Sequence, residues 1–245
     1  MGINNNTMLV INDRSYYYLQ MKKYYGPNPK VYEHIEKLCL SKKNILEIGP
    51  GKIPFSKATH FCGWDKGSQP INSNHTICDV SKEKLPFKNK EFDFVYCRHV
   101  LEDLYNPFLL LDEMSRVANS GYLETPSPLS EICKNIDGGD SNLPWRGYQH
   151  HHSFVWSHND EVCFAHKYTA VEYFGGFDEE KVKQKLENNP YLWNSYHLWN
   201  DKIKYKHYQH DVDFLIWKDY PNFIFEKAII EGVKSSTNFY NKIIK

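Results

Sequence analysis

At 245 residues the chain is long enough to bury a substantial core, as one large domain or as one domain with a cap. Lys plus Arg and Asp plus Glu both number 30, so no overall field attracts a polyanion and a nucleic-acid substrate loses support. The six cysteines (Cys39, Cys62, Cys78, Cys97, Cys133, Cys163) form no C-x-x-C pair and read as reduced core residues of a cytoplasmic protein; no apolar run reaches the ~20 residues of a membrane span, and no signal peptide opens the sequence.

In chain order, residues 1–12 are polar and Asn-rich, with Met8–Ile11 a candidate edge strand. Tyr16–Tyr25 is tyrosine-rich and stops at Gly26-Pro27; Val31, Ile35 and Leu38 then fall at helical spacing and predict an amphipathic helix. Asn44–Ile48 is a short, mostly apolar run suited to a buried parallel strand, with Glu47 near its end and Gly49-Pro50-Gly51 after it. The glycines permit positive φ and close approach to the backbone, and Pro54 has the fixed φ of a first helical turn, so strand, tight turn and helix start are expected. Such a turn presents free N–H groups to a bound carboxylate or phosphate. Three more apolar runs follow: His60–Trp64, His75–Cys78 and Phe92–Cys97. Asp65 closes the first and suits both hydroxyls of a ribose, Asp79 closes the second, and Arg98-His99-Val100-Leu101-Glu102-Asp103 continues the third. Between Asp65 and Asp79, Gly67, Pro70 and Asn72–Asn74 predict a loop instead of a second crossover helix.

Asn106 and Pro107 open a helix whose Phe108, Leu111, Met114 and Val117 form one apolar face, ended by Asn119-Ser120-Gly121. Gly121–Thr125 is the fifth strand, with Glu124 near its end. Leu129–Asn135 is a short helical stretch within a substrate-side loop, 128–150. Ser153–Ser157 and Glu161–His166 predict a hairpin turning at Asn159-Asp160, with Val155, Val162 and Phe164 on one face and Phe154, Trp156, Cys163 and Ala165 on the other. Both faces are apolar, which places the hairpin inside a helix-covered sheet. Asp178 caps a helix with Glu179 and Glu180 in its first turn, Pro190–Tyr208 is dense in aromatics, Val212–Trp217 reads as a strand, and Phe223–Ile244 as a terminal helix.

The ordered set Glu47-Ile-Gly-Pro-Gly51, Asp65, Asp79-Val80, Leu85-Pro-Phe87, Phe92-Asp-Phe-Val-Tyr-Cys97 and Val100-Leu-Glu102 resembles the class I S-adenosylmethionine-dependent methyltransferases over residues 43–127. The resemblance implies an α/β fold: a doubly wound, mostly parallel seven-stranded sheet that includes a C-terminal hairpin strand. It divides the chain into a lid or cover (1–42), a core (43–170) and an aromatic-rich cap (171–245). By the same resemblance S-adenosylmethionine is the cofactor, Gly49, Pro50, Gly51 and Lys52 cradle its methionine part, Asp65 holds the ribose, and Asp79 with Val80 faces the adenine. Glu47, Lys66, Arg98 and His99 complete the expected cofactor wall, with Arg98 a partner for a carboxylate or, alternatively, for Glu124. An NAD-type site expects a third glycine where Pro54 stands, and ranks below.

Ligands of an open α/β sheet bind at the carboxyl ends of its strands, which makes Asp103 and Glu124 acid–base candidates. Tyr122-Leu-Glu-Thr-Pro-Ser127 followed by Gly147-Tyr-Gln-His-His-His152 resembles a methyltransferase subgroup with a Glu-x-Pro-Ser stretch and a later His-His pair. That implies functional His151 and His152, with His151 the general base. Three adjacent histidines of an extended chain cannot all reach one metal, and no metal set is assigned; His151 and His166 share a face, which leaves a base or a two-His site open. Trp145, Tyr148, Tyr191, Trp193, Tyr196 and Trp199 suit stacking on a sugar ring or simple packing. Neutral charge favours O-methylation of a sugar, glycan or other hydroxylated small molecule. A nucleic-acid or protein methyltransferase and a non-catalytic cofactor-binding scaffold are the alternatives.

Overall fold

The apolar runs between Gly, Pro and Asn become the strands of a mostly parallel sheet. The computed structural model describes residues 26–51, 54–63, 73–132, 151–167, 178–208 and 220–245, the side chains of 220–223 excepted. Strands β1 (Ile45–Ile48), β2 (His60–Gly63), β3 (His75–Ile77), β4 (Phe94–Arg98) and β5 (Ser120–Pro126) lie parallel in the order β3-β2-β1-β4-β5. Every residue of β1 and β5 is buried, which is why these runs lack the polar alternation of a one-sided sheet.

Two expectations change beyond β5. The seven-stranded sheet is six-stranded among the described residues, and its sixth strand, β8 (Asn194–Asn200), comes from the segment assigned to a cap. It runs antiparallel to β5, from Ser120 opposite Asn200 to Pro126 opposite Asn194. Gly121 makes room for it: a Cβ there would stand 2.6 Å from the Val95 carbonyl oxygen and 2.7 Å from the Trp199 ring. The hairpin, β6 (Ser153–His158) and β7 (Glu161–His166), joins β9 (Tyr205–Tyr208) in a separate three-stranded sheet instead of extending the main one. Its two apolar faces explain the arrangement. Val155, Val162 and Phe164 close the main core with Leu123 and Trp199, while Phe154, Trp156, Cys163 and Ala165 pack on Ile224, Phe225 and Ala228 of α5 (Tyr220–Ile243).

The hairpin turn has both central residues left-handed, Asn159 at φ 48° and Asp160 at φ 63°. Glycine suits the second position of such a turn better than aspartate, and the Asp160–Lys204 contact is exposed at 3.5 Å. Asp160→Gly is therefore expected to raise stability by about 0.5–1 kcal/mol, measured by urea unfolding.

Helix α1 (Pro29–Leu38) starts at Asn28, whose Oδ1 accepts from the Lys30 and Val31 amides. Val31 and Ile35 are buried as expected, but Leu38 is 39% exposed and Cys39 takes the inner position. In α2 (Phe108–Val117) the inner face holds Leu111, Met114 and Val117, plus Leu110. Lys90 closes its far end by donating from Nζ to the Ser115 and Ala118 carbonyls at 3.0 and 2.9 Å. Arg116 of α2 donates to the Leu85 and Phe87 carbonyls, both at 2.8 Å, which pins the Leu85-Pro-Phe turn. A single turn, α3 (Pro128–Glu131), is capped by Ser127, and Asp178 caps α4 (Glu179–Asn188).

Pro54 opens no helix: Ala58 N–H reaches the Phe55 carbonyl in one turn, and Thr59 already bonds Ile45 at the head of β2. Too few residues separate β1 from β2 for a crossover helix to form there. The Met8–Ile11, Tyr16–Tyr25, Cys133 and Val212–Trp217 readings lie outside the described residues. Cys39, Cys62, Cys78, Cys97 and Cys163 are buried free thiols. Among the described residues no helix is long and apolar enough to cross a membrane.

Candidate active site

In the order β3-β2-β1-β4-β5 the sheet changes winding direction between β1 and β4, and a crevice at the carboxyl ends of those strands is where such a sheet takes its ligand. Gly49 leaves β1 at φ 65°, its N–H held by the Cys62 carbonyl at 2.8 Å. A Cβ at Gly49 would meet Val100 Cγ2 at 2.4 Å, and one at Gly63 would meet Gly49 Cα and Pro50 Cδ at 3.3 Å. Backbone at three points is thus pressed together to form the crevice floor. At Gly51 an added Cβ meets nothing within 4 Å, so the rim of the turn is open. Buried Glu47 accepts the Phe55 N–H at 2.8 Å and stays under the turn; burial pushes its carboxyl up to about 7 against the pull of that hydrogen bond.

On the β4 side, Arg98 Nε donates to Glu124 Oε1 at 2.9 Å, while its buried Nη2 has no hydrogen-bond partner among the described residues. Glu124 is fully engaged, since Oε2 accepts Tyr122 OH at 2.6 Å and Oε1 also accepts Asn194 Nδ2 at 2.7 Å. The salt bridge foreseen for Arg98 therefore exists, and Glu124 serves it instead of standing ready for a proton. His99 is left-handed at φ 53°, donates its N–H to the Glu124 carbonyl at 2.8 Å and lies 3.3 Å from Glu102 through Nδ1. Burial and the Arg98 charge pull it down to about 3, so it is neutral.

Asp79 is turned inward on its own loop: it accepts from Ser81 N at 3.1 Å, from Ser81 Oγ and from Lys82 Nζ at 2.9 Å, and these hydrogen bonds hold its carboxyl below the usual range. Val80 is buried in the main core. Lys52, Asp65 and Lys66 lie outside the described residues. The described part of the wall fits a nucleoside with an amino-acid tail at two points: open backbone at Gly51, and an orphaned guanidinium nitrogen on Arg98 that matches a carboxylate.

A second group of ionisable residues gathers after β4, where the Leu101–Asp103 turn, α3 and the entry to β6 meet. His151, 7% exposed, has Nδ1 hydrogen-bonded to Glu131 and Nε2 3.7 Å from Asp103 Oδ1. Glu131 Oε2 lies 3.6 Å from Lys167 Nζ, and both side chains are buried. The Glu102 carbonyl accepts the His152 N–H at 2.6 Å. Burial disfavours the His151 cation, but Glu131, by charge and hydrogen bond, and Glu102 outweigh it and push the imidazole up to about 9. Burial raises Glu102 to about 7 against the pull of His151. Half the Asp103 side chain meets water, yet burial of the rest and the Glu102 charge raise its carboxyl as well.

An imidazole held as a cation up to about pH 9 takes no proton at neutral pH, which favours His151 as an ion-pair partner of Glu131 over the general base expected of it. His152 turns away from the cluster and stacks on the exposed Tyr105 ring, with centroids 3.7 Å apart at 19°. Ser153 pairs with His166 in the hairpin, but among the described residues no His, Cys, Asp and Glu side chains converge as a metal site. Of the proposed stacking aromatics, Trp193, Tyr196 and Trp199 are buried packing residues, and Trp145 and Tyr148 lie outside the described residues. Sequence reasoning missed Glu131 and Lys167. Glu131 stands four residues past its Ser127 cap and Lys167 one residue past β7, and neither position marks a partner for His151 in the sequence.

Residues 58–123 match the family model described as a methyltransferase domain. The chain thus carries an enzyme domain that methylates, with S-adenosylmethionine as its methyl donor. No curated protein matches. Similar solved structures include YcgJ of Bacillus subtilis (17% identity, TM-score 0.32, 40% of this chain and 50% of that one). Others are a putative methyltransferase of Bacillus halodurans (18%, TM-score 0.32, 49% and 61%) and the N-terminal domain of EvdMO1 with SAH bound (20%, TM-score 0.30, 46% and 56%). The chain covers between half and three-fifths of the length of these structures.

Proposed function

We propose that the chain is an S-adenosylmethionine-dependent methyltransferase that O-methylates a hydroxylated small molecule, a sugar or glycan being the favoured class. The observation that carries the reading is the meeting, at one edge of the sheet, of a glycine turn at the winding reversal and the chain Glu131, His151, Asp103. When bound, the donor supplies an electrophilic methyl on a sulfonium. The protein's share is to hold a nucleophile in line, exclude water and receive the proton that a hydroxyl gives up. Asp103, half exposed and 3.7 Å from His151 Nε2, is the group placed to receive it once it has given up its own proton, since burial and the Glu102 charge raise its carboxyl to about 8. His151 stays an imidazolium behind Asp103, and Glu131 fixes that ring from the other side. Gly49, Pro50, Gly51 and the Arg98 guanidinium would hold the donor, with Lys52, Asp65 and Lys66 the further candidates. A balanced charge of 30 against 30 supports a neutral acceptor over a polyanion.

Asp103→Asn is expected to lower kcat by about 10²-fold on a hydroxylated acceptor while calorimetry finds S-adenosylhomocysteine bound as in the parent. Full turnover in that variant removes Asp103 as the base. Tighter binding of NAD than of S-adenosylhomocysteine overturns the methyltransferase reading, and cofactor binding without turnover on any hydroxylated ring favours a scaffold.

A further inference from the structure

Past the carboxyl end of β4, where the Leu101–Asp103 turn leads into α2, one aromatic ring stands in water. Tyr105 is 84% exposed, more than any other large apolar side chain among the described residues. Single exposed apolar side chains are common on protein surfaces, but few are held as this one is. The Leu104 N–H closes the preceding turn on the Leu101 carbonyl at 3.3 Å, and Asn106 Oδ1 accepts the Phe108 N–H at 3.3 Å as α2 begins, so the segment is tied on both sides of Tyr105.

The ring is also backed. One face stacks on His152, with centroids 3.7 Å apart at 19°. His152 is fixed in turn through its backbone: its N–H reaches the Glu102 carbonyl at 2.6 Å and its carbonyl accepts the Lys167 N–H at 2.9 Å. With one face against His152 and most of its surface in water, Tyr105 keeps the opposite face open, and little side-chain freedom is left to lose when a flat partner lies on it.

Asp103 is the acidic neighbour of this ring. Leu104, between them, is extended at φ −89° and ψ 132° and packs against the main core, while Asp103 and Tyr105 on either side of it meet water. Their Cα atoms are at most about 7 Å apart, since two residues span no more. An apolar face beside a carboxyl group suits a pyranose, whose C–H faces are apolar and whose hydroxyls donate to such an oxygen. A carboxylated ring would meet two acidic side chains, Asp103 and Glu102, and an ammonium is held best where several rings surround it.

Resting on the methyltransferase reading above, we infer that Tyr105 is the stacking platform of the acceptor: a neutral pyranose lies on its open face and turns one hydroxyl to Asp103. Saturation-transfer NMR tests this on the full chain loaded with S-adenosylhomocysteine, with the methyl pyranosides of glucose, galactose and mannose as probes. The ring C–H protons of at least one of them are expected to receive saturation from the parent protein. Tyr105→Ala should weaken that signal at least about fivefold, whereas Tyr105→Phe, which keeps the face, should hold it within about twofold. Because the side chain lies outside the core, both variants should keep the parent's urea midpoint and its calorimetric affinity for S-adenosylhomocysteine. No saturation of any pyranoside by the parent, or equal saturation in Tyr105→Ala, overturns the platform, and saturation of cyclohexylamine in place of every pyranoside overturns the sugar. Failure of the parent to bind S-adenosylhomocysteine instead sinks the methyltransferase reading, whatever the pyranosides do.

Discussion

Gly49→Ala is expected to lose about 2–5 kcal/mol of folding stability together with all measurable binding of S-adenosylhomocysteine. Two costs add. An L-residue held at φ 65° pays about 1–2 kcal/mol for its left-handed backbone. Its Cβ must also displace Val100 Cγ2 from 2.4 Å, overpacking of the kind that costs about 1–3 kcal/mol. Neither cost can be relieved alone, because Gly63 and Pro50 press on the same backbone from the β2 side. Gly51→Ala separates binding from folding. With open space around it, the added methyl should leave the urea midpoint unchanged, yet it enters the rim where a ligand lies on the backbone, and affinity should fall about tenfold or more. A Gly49→Ala protein with the parent midpoint would show that the turn can relax, and an unchanged affinity at Gly51→Ala would place the ligand elsewhere.

Glu131→Gln should cost about 1–3 kcal/mol, as it removes the carboxylate charge that the buried His151 ring and Lys167 Nζ both face. It should also bring the His151 titration down from about 9, which ring ¹⁵N shifts report directly. The parent protein carries a pH signature of the same interaction. His151 has a folded pKa above its unfolded value near 6.5, so its contribution is fully present below pH 6.5 and is lost as pH rises through 9. That contribution is at most about 3 kcal/mol. Glu102, raised to about 7, acts earlier: its neutral form is favoured by folding, so stability falls between pH 4.5 and 7. His151→Gln should remove the loss centred near pH 9 and move the lower one upward, because the imidazolium no longer holds the Glu102 carboxyl down. A parent protein equally stable at pH 6.5 and 9 would mean that the imidazole is not held as a cation.

The glycine turn after β1 was legible because it depends on local rules. A short apolar run followed by Gly-Pro-Gly can do little but leave a strand in a tight turn, and the alternation in Ser153–His166 fixed which hairpin residues share a face before any neighbour was known. The ionisable cluster and the Glu124 network depend on contacts between distant segments. Glu131 meets His151 twenty positions away, and Asn194 meets Glu124 across seventy, so neither pairing leaves a spacing that a reader could recognise. His151 shows the difference most sharply: the sequence singled it out, but its protonation depends on the Glu131 carboxylate behind it. The misplaced hairpin has a similar origin, since two apolar faces announce burial without saying what does the burying. Leu38 and Cys39 differ by one position because a helical stripe locates a face better than it locates the end of that face.

The doubling of the sheet has an engineering consequence. The glycine turn and Arg98 hang from β1 and β4, whereas His151 rides at the entrance of a separate lamella whose outer side is bolted to the terminal helix. The glycine turn and the His151 cluster therefore answer to different scaffolding, so a hairpin graft that keeps Trp156 and Phe154 seated on that helix should change the surroundings of His151 while Gly49 and Arg98 keep theirs.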